Sequence, residues 1–186
     1  MKITILLLFF IFSFSSFAET VKEVSLSGSL RSSKLNDDNY QKTFSITGSF
    51  AVYLWERTAV EFSYTKGSSS LQSLPTKNDS KVTIESEFQL FGGDFVTTFG
   101  ERKSPIQPYL KLGLAYMDKK ITRVVDVGSS QLDPVTGIVP SGGAGIKIKT
   151  SERFFIKLGA DLWASPLGGS EDSLDYTFRF GLSCYF

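Results

Sequence analysis

The chain contains no histidine and a single cysteine, Cys184. Without histidine it lacks the commonest general base near neutral pH and the commonest metal-ligating side chain. One cysteine excludes an internal disulfide. Cys184 also does not follow the N-terminal leader, where a lipid-carrying cysteine would stand. An excess of either charge is missing too: 20 Lys and Arg face 19 Asp and Glu. There is no basic stripe of the kind that holds nucleic acid, and no nucleic-acid partner is expected. After residue 18 no apolar run approaches the roughly 20 residues that a membrane-crossing helix needs.

The first residues read as an address. Met1 and Lys2 give a positive start, Ile3 to Phe12 is uninterrupted apolar sequence, and Ser13 to Ala18 is mostly small or polar. Ser16 and Ala18 place small residues three and one before a cut after Ala18, as signal peptidase requires. The apolar run is too short for an anchor. The expectation is a cleaved signal peptide over residues 1–18 and one domain over residues 19–186, of 186 − 18 = 168 residues.

The remaining sequence is rich in Phe, Tyr, Val, Ile and Thr, with Gly and Ser gathered between runs, which favours strands. Apolar residues alternate with period two in segments of about ten, the length of a tilted spanning strand. Eight such segments stand out, near Glu23–Arg31, Phe44–Leu54, Thr58–Thr65, Lys81–Phe99, Gln107–Met117, Ser141–Lys149, Arg153–Trp163 and Leu174–Phe186. In the fourth, Val82, Ile84, Phe88 and Leu90 oppose Thr83, Glu85, Glu87 and Gln89. The alternation then breaks at Gly92-Gly93, which predicts a bulge.

Long polar connections (Ser32 to Lys42, Lys66 to Ser80, Asp118 to Pro140, Ser165 to Ser173) alternate with short ones (Glu56-Arg57, Glu101 to Pro105, Thr150 to Glu152). That asymmetry suits an outer-membrane barrel, with short turns in the periplasm and long loops outside. The fold class expected is all-β: an eight-stranded antiparallel up-and-down transmembrane β-barrel.

Periodicity does not say which face meets lipid. The apolar face carries large aromatics and no charge within the strand cores, and such side chains from every strand would crowd a narrow lumen. They are therefore expected to point at lipid. Tyr64, Tyr116, Tyr176, Trp55, Trp163 and Tyr185 fall near strand ends, where aromatic girdles sit. The polar face then lines the lumen with Glu61, Glu85, Glu87, Lys111, Lys147, Lys149, Lys157, Asp161, Asp175 and Arg179. The acids Glu61, Glu85 and Glu87 come from the third and fourth strands and the bases from the fifth to eighth, so the groups are expected to pair across the lumen and plug it. The rival is a thin water path.

The last segment, with Tyr176, Phe178, Phe180, Leu182 and the terminal Phe186, resembles the closing strand of outer-membrane proteins. Pro108-Tyr109 with Gly113, Ala115 and Tyr116, and Ser141 to Lys147 followed by Ser151 to Arg153, are similar to the fifth and sixth strands of the OmpA/OmpX-like β-barrel domain family. The resemblance implies an outer-membrane location in a Gram-negative-type bacterium and recognition of the C-terminal strand by the barrel-assembly machinery. No appended peptidoglycan-binding domain is expected.

Enzymes of that membrane resemble one another in needing a catalytic histidine, so no enzymatic activity and no catalytic residue are expected. Asp37-Asp38 reads as a solvated turn rather than a calcium site. Gly142 to Gly145 is not a phosphate cradle, since no Lys-Ser/Thr follows it. No metal or cofactor is expected. Three functions remain open: a monomeric structural or surface-interaction protein displaying four loops, a small pore or transporter for ions or small apolar molecules, and a soluble periplasmic barrel holding a hydrophobic ligand.

Overall fold

The computed structural model describes residues 21–36, 39–73, 82–125, 128–164 and 174–186. The expected leader, the Asp37-Asp38 pair and the connection from Ser165 to Ser173 lie outside the described residues. The eight strands are β1 (Lys22–Asn36), β2 (Asn39–Tyr53), β3 (Thr58–Ser73), β4 (Val82–Thr98), β5 (Ile106–Val125), β6 (Gly128–Lys149), β7 (Phe154–Ala164) and β8 (Leu174–Tyr185). Each pairs antiparallel with the next, and β8 returns to β1 to close the barrel. Closure leaves no sheet edge over the paired span, which is what lets strands cross a hydrocarbon layer.

Successive side chains point to opposite faces of a strand, and here the alternation separates chemistry cleanly. Leu26, Leu112, Phe178, Phe180 and Leu182 are exposed on the outer surface, while Ser25, Ser27, Ser45, Thr47, Glu61 and Lys111 are buried inside. A water-soluble barrel requires the reverse. On β5 the outward apolar row runs from Ile106 to Tyr116 and ends before Lys120. Ten steps of about 3.4 Å, tilted by roughly 45°, rise about 24 Å, matching the height of an outer-membrane apolar band.

Three connections expected as long loops are largely strand. Pairing continues to Asn36↔Asn39 between β1 and β2, to Ser73↔Val82 between β3 and β4, and to Val125↔Gly128 between β5 and β6. The polar composition of these stretches marks water on both faces, not irregular backbone. Once a hairpin is in register, each further pair still satisfies backbone hydrogen bonds. The short turns hold the other end, with Gly100 at φ +93° in the second. The described chain ends meet there, Lys22 and Phe186 exchanging two backbone hydrogen bonds of 3.0 Å.

β4 corrects the sequence reading. It pairs with β3 and β5 without a shift, so there is no bulge at Gly92-Gly93. An unbroken period of two ties both halves to one parity. Asp94, Val96 and Ser86 are buried on the lumen side, and so are Phe88 and Leu90. Glu85 and Glu87 consequently point outward. Phe88 fits because its neighbour across the pair is Gly67, where a Cβ would collide with the phenyl ring.

Candidate functional site

The lumen is the only place where this fold concentrates chemistry among the described residues. Its two walls differ in reach. On β1 to β3 short hydroxyls face inward and bond one another: Ser25 to Ser49 at 2.6 Å, Ser29 to Ser45 at 2.7 Å and Thr47 to Thr65 at 2.7 Å. These small side chains leave room for long ones from the opposite wall, Lys111 on β5, Lys147 on β6, Lys157 on β7 and Arg179 on β8.

The long cations meet acids in the middle. Lys157 Nζ lies 3.2 Å from Glu61 Oε2 and 3.5 Å from Glu23 Oε1. Since β3 and β7 are diametrically opposite in an eight-strand ring, the Lys157–Glu61 bond spans the full lumen. Lys147 Nζ donates to Glu23 Oε2 at 2.6 Å and to Tyr53 Oη at 2.8 Å, and Tyr53 donates to the same Glu23 oxygen at 2.7 Å. Lys111 bridges Asp161 at 2.9 Å and Glu61 at 3.9 Å. Arg179 Nη2 stands 2.5 Å from Asp161 Oδ2, a charge contact without hydrogen-bond alignment. Asp94 accepts from Ser141 at 2.7 Å.

Apolar layers bracket this network. Towards the short turns, Tyr53, Phe155 and Tyr185 pack with Ala51 and Ala59. Towards the long hairpins, Phe88, Leu90, Ala115, Met117 and Val139 pack together with Trp163 against them. Tyr109 fills the lumen beside the charges because Gly145 and Gly159 face it, leaving no Cβ in the way of its ring and hydroxyl. The spaces left within the charged layer are about 10 Å³ beside Glu61 and Lys157 and about 30 Å³ beside Asp94 and Lys111. A single water needs about 10–15 Å³. Below the aromatic layer a charged vestibule of about 840 Å³ opens among the short turns, lined by Arg57, Glu101, Arg102, Lys149, Glu152 and Tyr185.

Of the lumen charges expected from sequence, Glu61, Lys111, Lys147, Lys157, Asp161 and Arg179 come together. Glu85 and Glu87 do not: they stand on the outer surface of the projecting β3–β4 hairpin, where the continuous register puts them. Lys149 lines the vestibule rather than the network. Asp175 lies in β8, in a stretch whose side chains are outside the described residues. Trp163 and Tyr185, expected in the girdle, face inward. Trp55, Tyr64, Tyr116 and Tyr176 are exposed outside, as are Phe178, Phe180, Leu182 and Phe186 of the closing strand.

Glu23, Asp94, Tyr53 and Tyr185 were missed as lumen groups. Glu23 shares the parity of Ser25 and Ser27, and Tyr53 that of Ala51 and Ser49, so the signal was present for both. The division of charge is also less strict than expected, because Asp161 stands within the basic wall. No group of three metal-ligating side chains stands together among the described residues.

The chain is similar to known proteins over its whole described length. A family model described as "Outer membrane protein beta-barrel domain" matches residues 4–186. No curated protein is detectably similar in sequence. Among solved structures, the N-terminal β-barrel domain of Pseudomonas aeruginosa OprF superposes with a TM-score of 0.59 at 18% identity, covering 89% of this chain and 97% of that one. Pseudomonas aeruginosa outer membrane protein OprG gives 0.53 at 12% identity, covering 90% and 95%. The Yersinia pestis attachment invasion locus protein Ail, in complex with the heparin analogue sucrose octasulfate, gives 0.52 at 12%, covering 90% and 97%. At these identities the likeness is one of fold.

Proposed function

The chain belongs to the outer membrane protein β-barrel domain family, and we propose that within it this protein is a structural and surface-interaction barrel, closed to through-flow. It sits in outer-membrane lipid as a monomer and holds its long hairpins and their tips outside the cell for a surface ligand. Residues 1–18 direct export and are removed. The outward row of Tyr176, Phe178, Phe180, Leu182 and Phe186 on the last strand is what the barrel-assembly machinery reads. The protein carries no catalytic function in this reading.

The observation that carries closure is the Lys157–Glu61 bond between diametrically opposite strands. Around it four cations and four acids share a lumen whose gaps are only about 10 and 30 Å³. Unpaired charges in so narrow a space would be costly, whereas a cross-linked set is not. Planar-bilayer recording tests this. The refolded protein is expected to give no steady single-channel current, and steady currents at low voltage would overturn closure in favour of the small pore.

A further inference from the structure

The three short turns repeat one dipeptide. Glu56-Arg57 stands between β2 and β3, Glu101-Arg102 between β4 and β5, and Glu152-Arg153 between β6 and β7. That end of the barrel is therefore densely charged without a strong net sign. The charges surround the vestibule of about 840 Å³, within the range of about 300–1,000 Å³ common for small-ligand pockets. The cations Arg57, Arg102, Lys103 and Lys149 line it, and so do the acids Glu56, Glu101 and Glu152. Among the described residues none of these side chains forms an ion pair.

The turns that carry them are pinned by other means. The Thr98 N–H donates to the Arg57 carbonyl at 2.7 Å and the Lys149 N–H to the Pro105 carbonyl at 2.8 Å, tying each turn to its neighbour. The buried Gln107 amide donates to the Arg102 carbonyl at 2.7 Å and to the Ser104 carbonyl at 3.2 Å, which fixes the second turn from within. The charged ends are thus held around an opening by the backbone and not by one another.

Depth sorts the charges. Arg102 and Lys149 are half-buried, whereas Glu56, Glu101 and Glu152 are exposed at the rim with Arg57 and Lys103. Arg102 lies over the Tyr53 ring, 5.3 Å from its centre, against the aromatic layer that floors the vestibule. A guanidinium has five N–H donors. Here Nη2 reaches the Glu56 carbonyl at 3.4 Å, and Nε is enclosed without a partner. Lys149 shares the inward parity of Lys147 on β6. The floor is of one sign and the rim of both.

Such a mouth fits a ligand that is anionic at one end and cationic at the other, entering anion first. We propose that the vestibule binds short peptides as zwitterions. The C-terminal carboxylate sits on Arg102 and Lys149, where the guanidinium fork matches its geometry. The N-terminal ammonium stays among Glu56, Glu101 and Glu152. A plain anion would have to pass three acids, and a plain cation would meet the two half-buried cations, so each is disfavoured by repulsion. Short turns of such barrels face the periplasm, so the peptides are those of that compartment. The site goes beyond the proposed function and stands whether or not the charged layer above it is closed.

Trialanine is a direct probe. In isotope-labelled protein refolded in nonionic micelles, the amide signals of Gly100, Ser104 and Ser151 are expected to shift saturably, and those of Ser69 and Ser130 in the long hairpins are not. Trialanine amide, which lacks the anion, is expected to bind about tenfold more weakly. N-acetyl-trialanine, which lacks the ammonium, is expected to lose about threefold, as contacts at an exposed rim do. Arg102→Gln is expected to weaken trialanine as amidation does and to leave the amide unchanged, and Arg102→Lys to restore part of the loss. Heat-modifiable gel mobility checks that each variant is folded, and the ligand series needs no variant. Shifts that do not saturate, or that are equal for trialanine and its amide, overturn the site. Acetylated peptide binding as tightly as trialanine overturns the zwitterion, since the mouth would then be a plain anion trap.

Discussion

Glu23 and Lys147 meet at 2.6 Å with almost none of either side chain open to water. They come from β1 and β6, and the same carboxylate oxygen also accepts from Tyr53. Two donors from separate strands thus converge on one oxygen of a third strand, so the contact holds distant parts of the barrel together. Losing one partner of such a buried pair costs about 3–5 kcal/mol, because without Lys147 the Glu23 carboxylate keeps only the more distant Lys157, 3.5 Å away, as a counter-charge. Lys147→Met is expected to lower stability by that order in urea titrations of the bilayer-inserted protein. Glu23→Gln combined with Lys147→Met is expected to recover much of the loss, since no buried charge is then stranded.

Glu61 and Glu87 look alike in sequence but differ in what they face. Glu61 is buried against Lys157 and Lys111, while Glu87 is exposed on a projecting hairpin. Glu61→Gln is expected to loosen the cross-lumen network and to cost on the order of 3 kcal/mol. Glu85→Gln and Glu87→Gln are expected to stay within about 0.5 kcal/mol of the parent. Parallel urea titrations of the three variants separate the two outcomes.

That contrast shows where the sequence was legible. The period-two pattern in β2, β5, β7 and β8 gave strand count, parity and the lipid face, because each strand carries its own apolar row. β4 was misread because Phe88 and Leu90 face inward against small residues on other strands, Gly67 above all, and a local pattern has no access to its neighbours. Asp94 was lost with the bulge wrongly placed beside it. Trp163 and Tyr185 were read by their position at strand ends, when parity was the better guide, and the same parity would have placed Tyr53 in the lumen. The seam between β1 and β8, paired from Glu23↔Tyr185 to Ser29↔Arg179, depends on two strands remote in sequence, which no local signal carries.

Tyr109 and Gly145 form a contact that any side chain at residue 145 would break. A Cβ there would meet the Tyr109 ring, the Gly159 backbone and the Leu158 carbonyl. Gly145→Val is expected to cost at least about 1–3 kcal/mol by overpacking, and to shift refolded material towards the form whose gel mobility heating does not change. Adding Tyr109→Ala is expected to rescue only part of this, because removing the ring leaves the Leu158 carbonyl in place.

The lipid belt makes the sharpest quantitative forecast. Leu112 stands midway along the outward row between Ile106 and Tyr116 and is 62% exposed. In lipid that exposure is contact with acyl chains, and an arginine there would cost about 2–4 kcal/mol. Glu87 is just as outward but stands on the hairpin beyond the belt, so Glu87→Arg should cost about 0–1 kcal/mol by the same depth dependence. Urea titrations of Leu112→Arg and Glu87→Arg in bilayers measure both. Equal, small costs would mean that water reaches the Leu112 row, and the outward apolar face would then need a different occupant from lipid. A large difference fixes the belt between the short turns and the charged hairpins, the height that the β5 geometry requires.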